Sequence, residues 1–276
     1  MKLRRLASPT QTPTLSPEEL RKTFLLDDLF APGKITLHYV DLDRAVVGSA
    51  VPTSTPLELK GSAWIASETL CQNRELGILN LGNAGTVSVD GNEFSLETGD
   101  CLYIGRGAEA ILLASATAHE PAEFYLLSYP ASVEHPTKLI RRADANPIDL
   151  GETGSANVRR IYKMIHPGTV ETCQLMMGYT ELSPGSVWNT MPCHTHERRS
   201  EVYLYYNLPD DAAVMHFMGE PDQTRHLVVR SKQAVLSPTW SIHTGCGTRN
   251  YSFVWGMGGE NQDFDDMDWV SMDTLR

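Results

Sequence analysis

From Lys34 onward the chain is written in short apolar or alternating runs, interrupted by Gly, Pro, Asn or Asp roughly every 8–12 residues. "KITLHYV", "RAVVGSAV", "CLYIG", "AILLAS" and "EFYLLSY" carry this rhythm first, and "IYKMI", "TCQLMMGYTEL", "AAVMHFMG", "HLVVRS", "QAVLS" and "YSFVWGM" repeat it. Runs of that length with period two bury one face of a strand, which limits the chain to a β-sandwich or barrel. Asp90-Gly91, between "TVSV" and "NEFSL", is a two-residue hairpin signal. Helix signals are few. Ser16 as cap, Pro17 at the first helical position and Glu19 three residues after the cap predict one amphipathic helix of about three turns over "PEELRKTFLLDDLF".

A chain of 276 residues is about twice the usual domain length and, at 41% hydrophobic, can bury a full core. The polar, turn-rich stretch "HPTKLIRRADANPIDLGETGSANVRR" divides the strand text. The expected organisation is an N-terminal arm and helix over 1–33, a first barrel over 34–150 and a second over 151–276. A formal charge of −11, with no basic block beyond "KLRR", excludes a nucleic-acid groove or an anionic membrane surface as the main partner. Five cysteines form an odd set without a CxxC pair, the pattern of a reducing compartment. The first residues lack the apolar core of a secretory signal, and no run approaches the ~20 apolar residues of a membrane span. The expectation is a cytoplasmic protein with a loose N-terminal arm.

The stretch "MPCHTHERRSEVYLYYNL" carries the chemistry. His194 and His196, two apart, present both imidazoles to one side of a strand. Glu201 stands five residues past His196, an odd offset, so "ERR" must bend the chain before the next strand brings Glu201, Tyr203 and Tyr205 to one face. "LSPTWSIHTG" supplies His243 as a fourth candidate. Three imidazoles and a carboxylate suit a borderline divalent cation such as Zn, Mn, Fe or Ni, and the absence of thiolate argues against a purely structural zinc. Cys193 faces away from the two histidines and is read as packing. His38, His119, His135, His166, His216 and His226 stand alone and are read as packing or surface residues.

"HTHERRSE", followed by "PTWSIH", resembles the cupin pattern, in which HxH, a Glu and a later His after a PxGxxH turn bind one metal inside a β-barrel. Trp240 stands at the Gly place of that turn. The first half looks like a second copy with its site erased: "NRELGILNLG" sets Glu75 against Glu201, Ala110 stands opposite His243, and no HxH precedes Glu75. "NTMPCHTHERRSEVY", "ETCQLMMGYTEL", "NRELGILNLG", "SPTWSIHTG", "FVWGMGGENQDFDDMDWV" and "DLDRAVVG" together resemble the 5-dehydro-4-deoxy-D-glucuronate isomerase family over nearly the whole chain after the arm. The resemblance implies a mainly β bicupin of two tandem jelly-roll barrels. It also implies one Zn²⁺ per chain on His194, His196, Glu201 and His243, and a homo-oligomer, often a hexamer. The implied substrate is a small keto-deoxyuronate from pectin or uronate polysaccharide breakdown.

Such an isomerase moves a carbonyl between adjacent carbons through an enediolate, an anion that a chelated divalent cation stabilises. Metal-bound hydroxide or a side chain serves as the proton shuttle, with Glu197, His226, Tyr251 and Glu260 as the candidate side chains. Arg198, Arg199 and Arg249 are candidates for the substrate carboxylate, because guanidinium pairs with it bidentately. Trp188, Trp240, Trp255 and Trp269, with Tyr203 and Tyr205, are expected to fill the barrel and its mouth, one or two of them lining the pocket. "GGENQDFDDMDW" lacks the ligand order of a Ca²⁺ loop and is read as a surface or subunit-contact tail. A metallo-dioxygenase and a non-catalytic sugar-binding cupin are the alternative readings of the same residues.

Overall fold

The computed structural model describes residues 1–260 and 262–276. The chain is mainly β, with a single α-helix among the described residues, and forms two compact units. Met1–Arg4, Asp28–Asn146 and Met164–Met177 make the first; Arg5–Asp27, Pro147–Lys163 and Gly178–Arg276 make the second.

The first unit contains a seven-stranded sheet ordered Lys2–Arg4, Ile35–Val40, Val46–Ala50, Phe124–Pro130, Arg74–Asn80, Cys101–Ile104, Lys138–Ile140. Its companion sheet runs Asn92–Leu96, Gly85–Val89, Ile111–Ser115, Leu57–Glu58. Leu76 and Ile78, Leu102 and Ile104, and Phe124 and Leu126 alternate along their strands and meet Val87, Val89 and Leu113 in one buried cluster. Each such side chain contributes roughly 1.5–3 kcal/mol by leaving water. Asp90 and Gly91 both take positive φ, 49° and 84°, so the hairpin closes with the turn that its sequence signal requires. The N-terminal arm is not loose: Lys2–Arg4 runs parallel to His38–Val40 and satisfies its backbone groups there.

Glu75, the counterpart of Glu201, has a structural role in this unit. Its carboxylate accepts N–H bonds from Cys173, Gln174 and Leu175 at 2.8 Å each, and the Tyr103 hydroxyl donates to it at 2.9 Å. The side chain is fully buried and thus replaces water for three backbone donors that have no strand partner.

The second unit is built on a seven-stranded sheet ordered Ile148–Leu150, Arg159–Ile165, Met176–Leu182, Ser252–Gly259, Arg199–Tyr206, Gln233–Ser237, Leu25–Leu26. A four-stranded sheet runs Trp188–Asn189, Thr244–Gly247, Val214–Met218, Arg225–Val229, and His194–Thr195 pairs with Asp268–Trp269. The helix spans only Pro17–Phe24, shorter than the three or more turns expected. Its capping box is present, with Glu19 accepting from the Ser16 backbone at 2.8 Å and the Ser16 hydroxyl accepting from the Glu19 backbone. Leu25 then turns extended, and Leu25–Leu26 adds a strand against Ala234–Val235. Sheet pairing buries both leucines fully and outweighs their helix propensity.

We expect Glu75→Ala to lower the stability of the protein by about 3 kcal/mol or more, because three backbone donors lose their acceptor. Urea unfolding measures this loss, and an unchanged urea midpoint would contradict it.

Candidate metal centre

His194, His196, Glu201 and His243 converge, all four buried, with their ligand atoms within 4.8 Å of one another. His194 Nε2 lies 3.0 Å from His196 Nε2 and 3.0 Å from His243 Nε2. Glu201 Oε2 closes the ring at 3.2 Å from His196 Nε2 and 3.0 Å from His243 Nε2. The centre of a four-membered ring with such edges lies roughly 2 Å from each atom whatever its pucker, the usual Zn–N and Zn–O distance. The imidazoles of His196 and His243 stack at 16°, and that of His194 stands at 72° and 87° to them.

The bend expected at "ERR" is present. His194 sits in its two-residue strand, the His196 backbone N–H donates to the Thr239 carbonyl, and a turn delivers the chain into the Arg199–Tyr206 strand, where Glu201 pairs with Ser237 and Met257. His243 follows a turn closed by the Ser241 N–H on the Pro238 carbonyl. Trp240 is not among the positive-φ residues, so this turn needs no glycine there; its ring meets Phe24 edge-on instead.

Partners outside the ring fix which nitrogens point inward. His196 Nδ1 donates to the Asp266 carbonyl at 2.7 Å, which turns Nε2 toward the ring. His243 Nδ1 meets Ser241 O and Ser237 Oγ at 3.3 Å each. Burial, reinforced by His243 and His196, pushes His194 down to about 2. Burial alone would raise Glu201, but His243 and the hydrogen bonds from His196 and His243 hold its carboxyl well below the usual range. The donor set is three imidazoles around one carboxylate, aimed at a common point, and it fits a divalent cation.

The ring opens into a cavity of about 310 Å³. Its floor is one face of the seven-stranded sheet, read at every second residue: Arg159 and Ile161, Thr180, Phe253, Trp255 and Met257, then Arg199, Glu201 and Tyr203. Gly178 leaves room for the Trp255 ring, because a Cβ there would lie 2.3 Å from Trp255 Cζ2. Tyr203 stands 5.4 Å, ring to ring, from His243; burial and the Glu201 charge raise its phenol well above the ordinary value.

Several expectations need correction. "GGENQDFDDMDW" is not merely a surface tail, because Phe264, Asp265, Met267 and Trp269 wall the cavity and Asp266 holds His196. Trp269, 64% exposed and 5.3 Å from the His194 ring, stands at the mouth and edges the site. Arg198 is committed to Asp266 and Asp268. Arg199 is 1% exposed and spends its terminal nitrogens on the carbonyls of Asp263, Phe264 and Asp266, tying the tail down. Arg249 is exposed and does not line the cavity. Of the proton-shuttle candidates, Glu197, His226 and Glu260 are exposed, and Tyr251 is buried with Asn189 and the Gly245 carbonyl; none lines the cavity. Sequence reading missed Arg159 as a cavity residue, whereas the strand period places Tyr203 on the face of Glu201, where it lines the cavity.

The KduI/IolB family model matches residues 29–272. A protein of Lachnoclostridium phytofermentans named 4-deoxy-L-threo-5-hexosulose-uronate ketol-isomerase is 50% identical over 276 residues, covering 100% of both chains. One of the same name from Salmonella typhimurium is 49% identical over 265 residues, 95% of each chain. Among solved structures, an IolB-like protein of Salmonella typhimurium LT2 superposes with a TM-score of 0.73 at 14% identity, covering 90% of this chain and 96% of that one. A variant of Bacillus subtilis oxalate decarboxylase gives 0.55 at 13% identity, covering 79% and 70%. These two likenesses are of fold, and they agree with the two cupin-type units.

Burial, with His243 nearby, also lowers His216, to about 3 against an ordinary 6.5. A depressed value means that the unfolded chain takes the proton first, so stability is complete above about pH 6.5 and falls as pH drops. The loss should be about 1.4 kcal/mol per pH unit for this group. Urea midpoints of metal-free protein from pH 7 to 4.5 should show it, and His216→Gln should remove this group's share; equal slopes in the two proteins would contradict it.

Proposed function

We infer the reaction from one premise: the chain belongs to the KduI/IolB family. It is a metal-dependent ketol-isomerase that converts 5-dehydro-4-deoxy-D-glucuronate, also called 4-deoxy-L-threo-5-hexosulose uronate, to 3-deoxy-D-glycero-2,5-hexodiulosonate in pectin and uronate breakdown. The observation that carries this reading is the ring of four buried donor atoms opening on a cavity of about 310 Å³.

His194, His196 and His243 would hold the cation through Nε2 and Glu201 through Oε2. Zinc, one ion per chain, is the proposed metal, since the reaction needs no redox change and the donor set is nitrogen and oxygen; Mn, Fe and Ni accept the same donors. When bound, the ion supplies Lewis-acid stabilisation to negative charge that develops on the sugar oxygens. The aldose-to-ketose step removes a proton from C2 and returns one to C1. Tyr203, kept neutral by burial and the Glu201 charge, lines the cavity and is proposed to donate a hydrogen bond to the sugar oxygen on which negative charge develops. Phe253, Trp255, Met257 and Phe264 form an apolar wall that excludes water from the anion formed between the two proton transfers.

The division of labour follows. Residues 34–150 are proposed to be a supporting barrel whose Glu75 has been turned to structure, and 151–276 to be the metal-binding barrel. A homo-oligomer in a reducing cytoplasm completes the proposal: the five cysteines are all free, and no helix among the described residues is long and apolar enough to cross a membrane.

His243→Ala should abolish metal retention and isomerisation of the uronate while far-UV circular dichroism stays unchanged. Removing the metal from the wild type should abolish turnover, and adding Zn²⁺ should restore it; full activity without metal would overturn the assignment. Tyr203→Phe should retain metal, leave KM within a few fold and lower kcat by about 10²-fold.

A further inference from the structure

The substrate of the proposed isomerase is a carboxylate, and two of the three arginines beside the ligand segments are ruled out for it: Arg198 is paired with Asp266 and Asp268, and Arg249 is outside the cavity. Arg199 lines the cavity but spends both terminal nitrogens on tail carbonyls. One further arginine lines the cavity. Arg159 lies half-buried on the Arg159–Ile165 strand, across from Leu150. Its Nη1 donates to the Asn157 carbonyl at 2.9 Å, and no carboxylate of the described residues lies within ion-pair distance of it. Burial lowers its value, and the titratable groups that face it are the phenols of Tyr203 and Tyr251. A guanidinium that loses water without gaining a counter-ion is costly, unless an anion arrives from the cavity.

We propose that Arg159 binds the substrate carboxylate and so sets the enzyme's preference for a sugar acid, an inference that rests on the isomerase reading. Arg159 and the ring line one cavity of about 310 Å³. Two strands, Met176–Leu182 and Ser252–Gly259, lie between the strand of Arg159 and the strand of Glu201. Arg159 belongs to the end of the sheet where the Leu182 N–H meets the Tyr251 carbonyl, and Glu201 pairs with Met257 toward the other end. Tyr203, on the face of Glu201, is among the groups that face the guanidinium, so a sugar acid in this cavity can turn its carbonyl end to the ring and its acid end to Arg159. Thr180, Trp255 and Met257 lie along the path and present one hydroxyl and two apolar groups to the middle of the chain. Planar, bidentate pairing makes the site selective for carboxylate over its ester or amide.

The test compares the zinc-loaded wild type, Arg159→Gln and Arg159→Lys on the uronate and on its methyl ester, with Arg160→Gln as control. Arg160 is exposed and paired with Asp149 on the opposite face of the strand. Wild type and Arg160→Gln should prefer the acid over the ester by about 10²-fold in kcat/KM, carried by KM. Arg159→Gln should lose that preference, raising KM for the acid about 10²-fold while kcat and the KM for the ester stay within a few fold, and Arg159→Lys should recover part of it. A merely structural role would move acid and ester together. If the wild type turns the acid over and Arg159→Gln or Arg159→Lys keeps the full acid preference, the Arg159 assignment is overturned and the isomerase reading stands. A wild type that isomerises neither compound removes the isomerase reading, and the acid-reading role falls with it.

Discussion

Four electron-rich atoms held 3.0–3.2 Å apart in a buried ring repel one another unless positive charge lies among them. The hydrogen bond from His196 Nδ1 to the Asp266 carbonyl turns Nε2 of that ring inward. Burial opposes charging His194. Protonating His194 is therefore a poor way to relieve the repulsion, and a divalent cation relieves it for all four groups at once. The remainder of the second unit can be understood as the means of holding that ring together.

Three kinds of scaffold contribute. The wide sheet fixes Glu201 by ladder bonds on both sides, with Ser237 and Met257 as neighbours, and this is the most rigid placement a strand offers. His194 and His196 stand on a short segment held by the C-terminal tail, Asp268–Trp269 against His194–Thr195, and by the His196 N–H on the Thr239 carbonyl. The tail is in turn pinned by Arg198 on Asp266 and Asp268 and by Arg199 on three carbonyls, while Lys163 sits 3.8 Å above the Phe264 ring. The two arginines that look like substrate ligands in the sequence thus serve the metal site indirectly.

Much of this was legible in the chain. Strand rhythm gave the fold class, and HxH, the bend at "ERR", Glu201 and the distant His243 gave the ring, because period two and turn chemistry are local properties. What was not legible depends on contacts distant in sequence. Leu25–Leu26 reads as helix until the Gln233–Ser237 strand offers it a partner. The acidic tail reads as solvent-facing until Arg198 and Arg199 are seen to bind it, and Arg159, about forty residues before the ligand segment, has no local mark of the cavity it enters. Glu75 reads in the sequence as the counterpart of Glu201, and its capture of the Cys173–Leu175 backbone is visible only in the folded chain.

X-ray absorption at the metal edge of the protein as purified is the most direct test of the central claim. The account predicts one metal ion per chain with nitrogen and oxygen neighbours at about 2.0–2.1 Å, the multiple scattering of three imidazoles, and no sulfur in the first coordination sphere. A sulfur neighbour, fewer than three imidazoles, or protein that is active and carries no metal would contradict it.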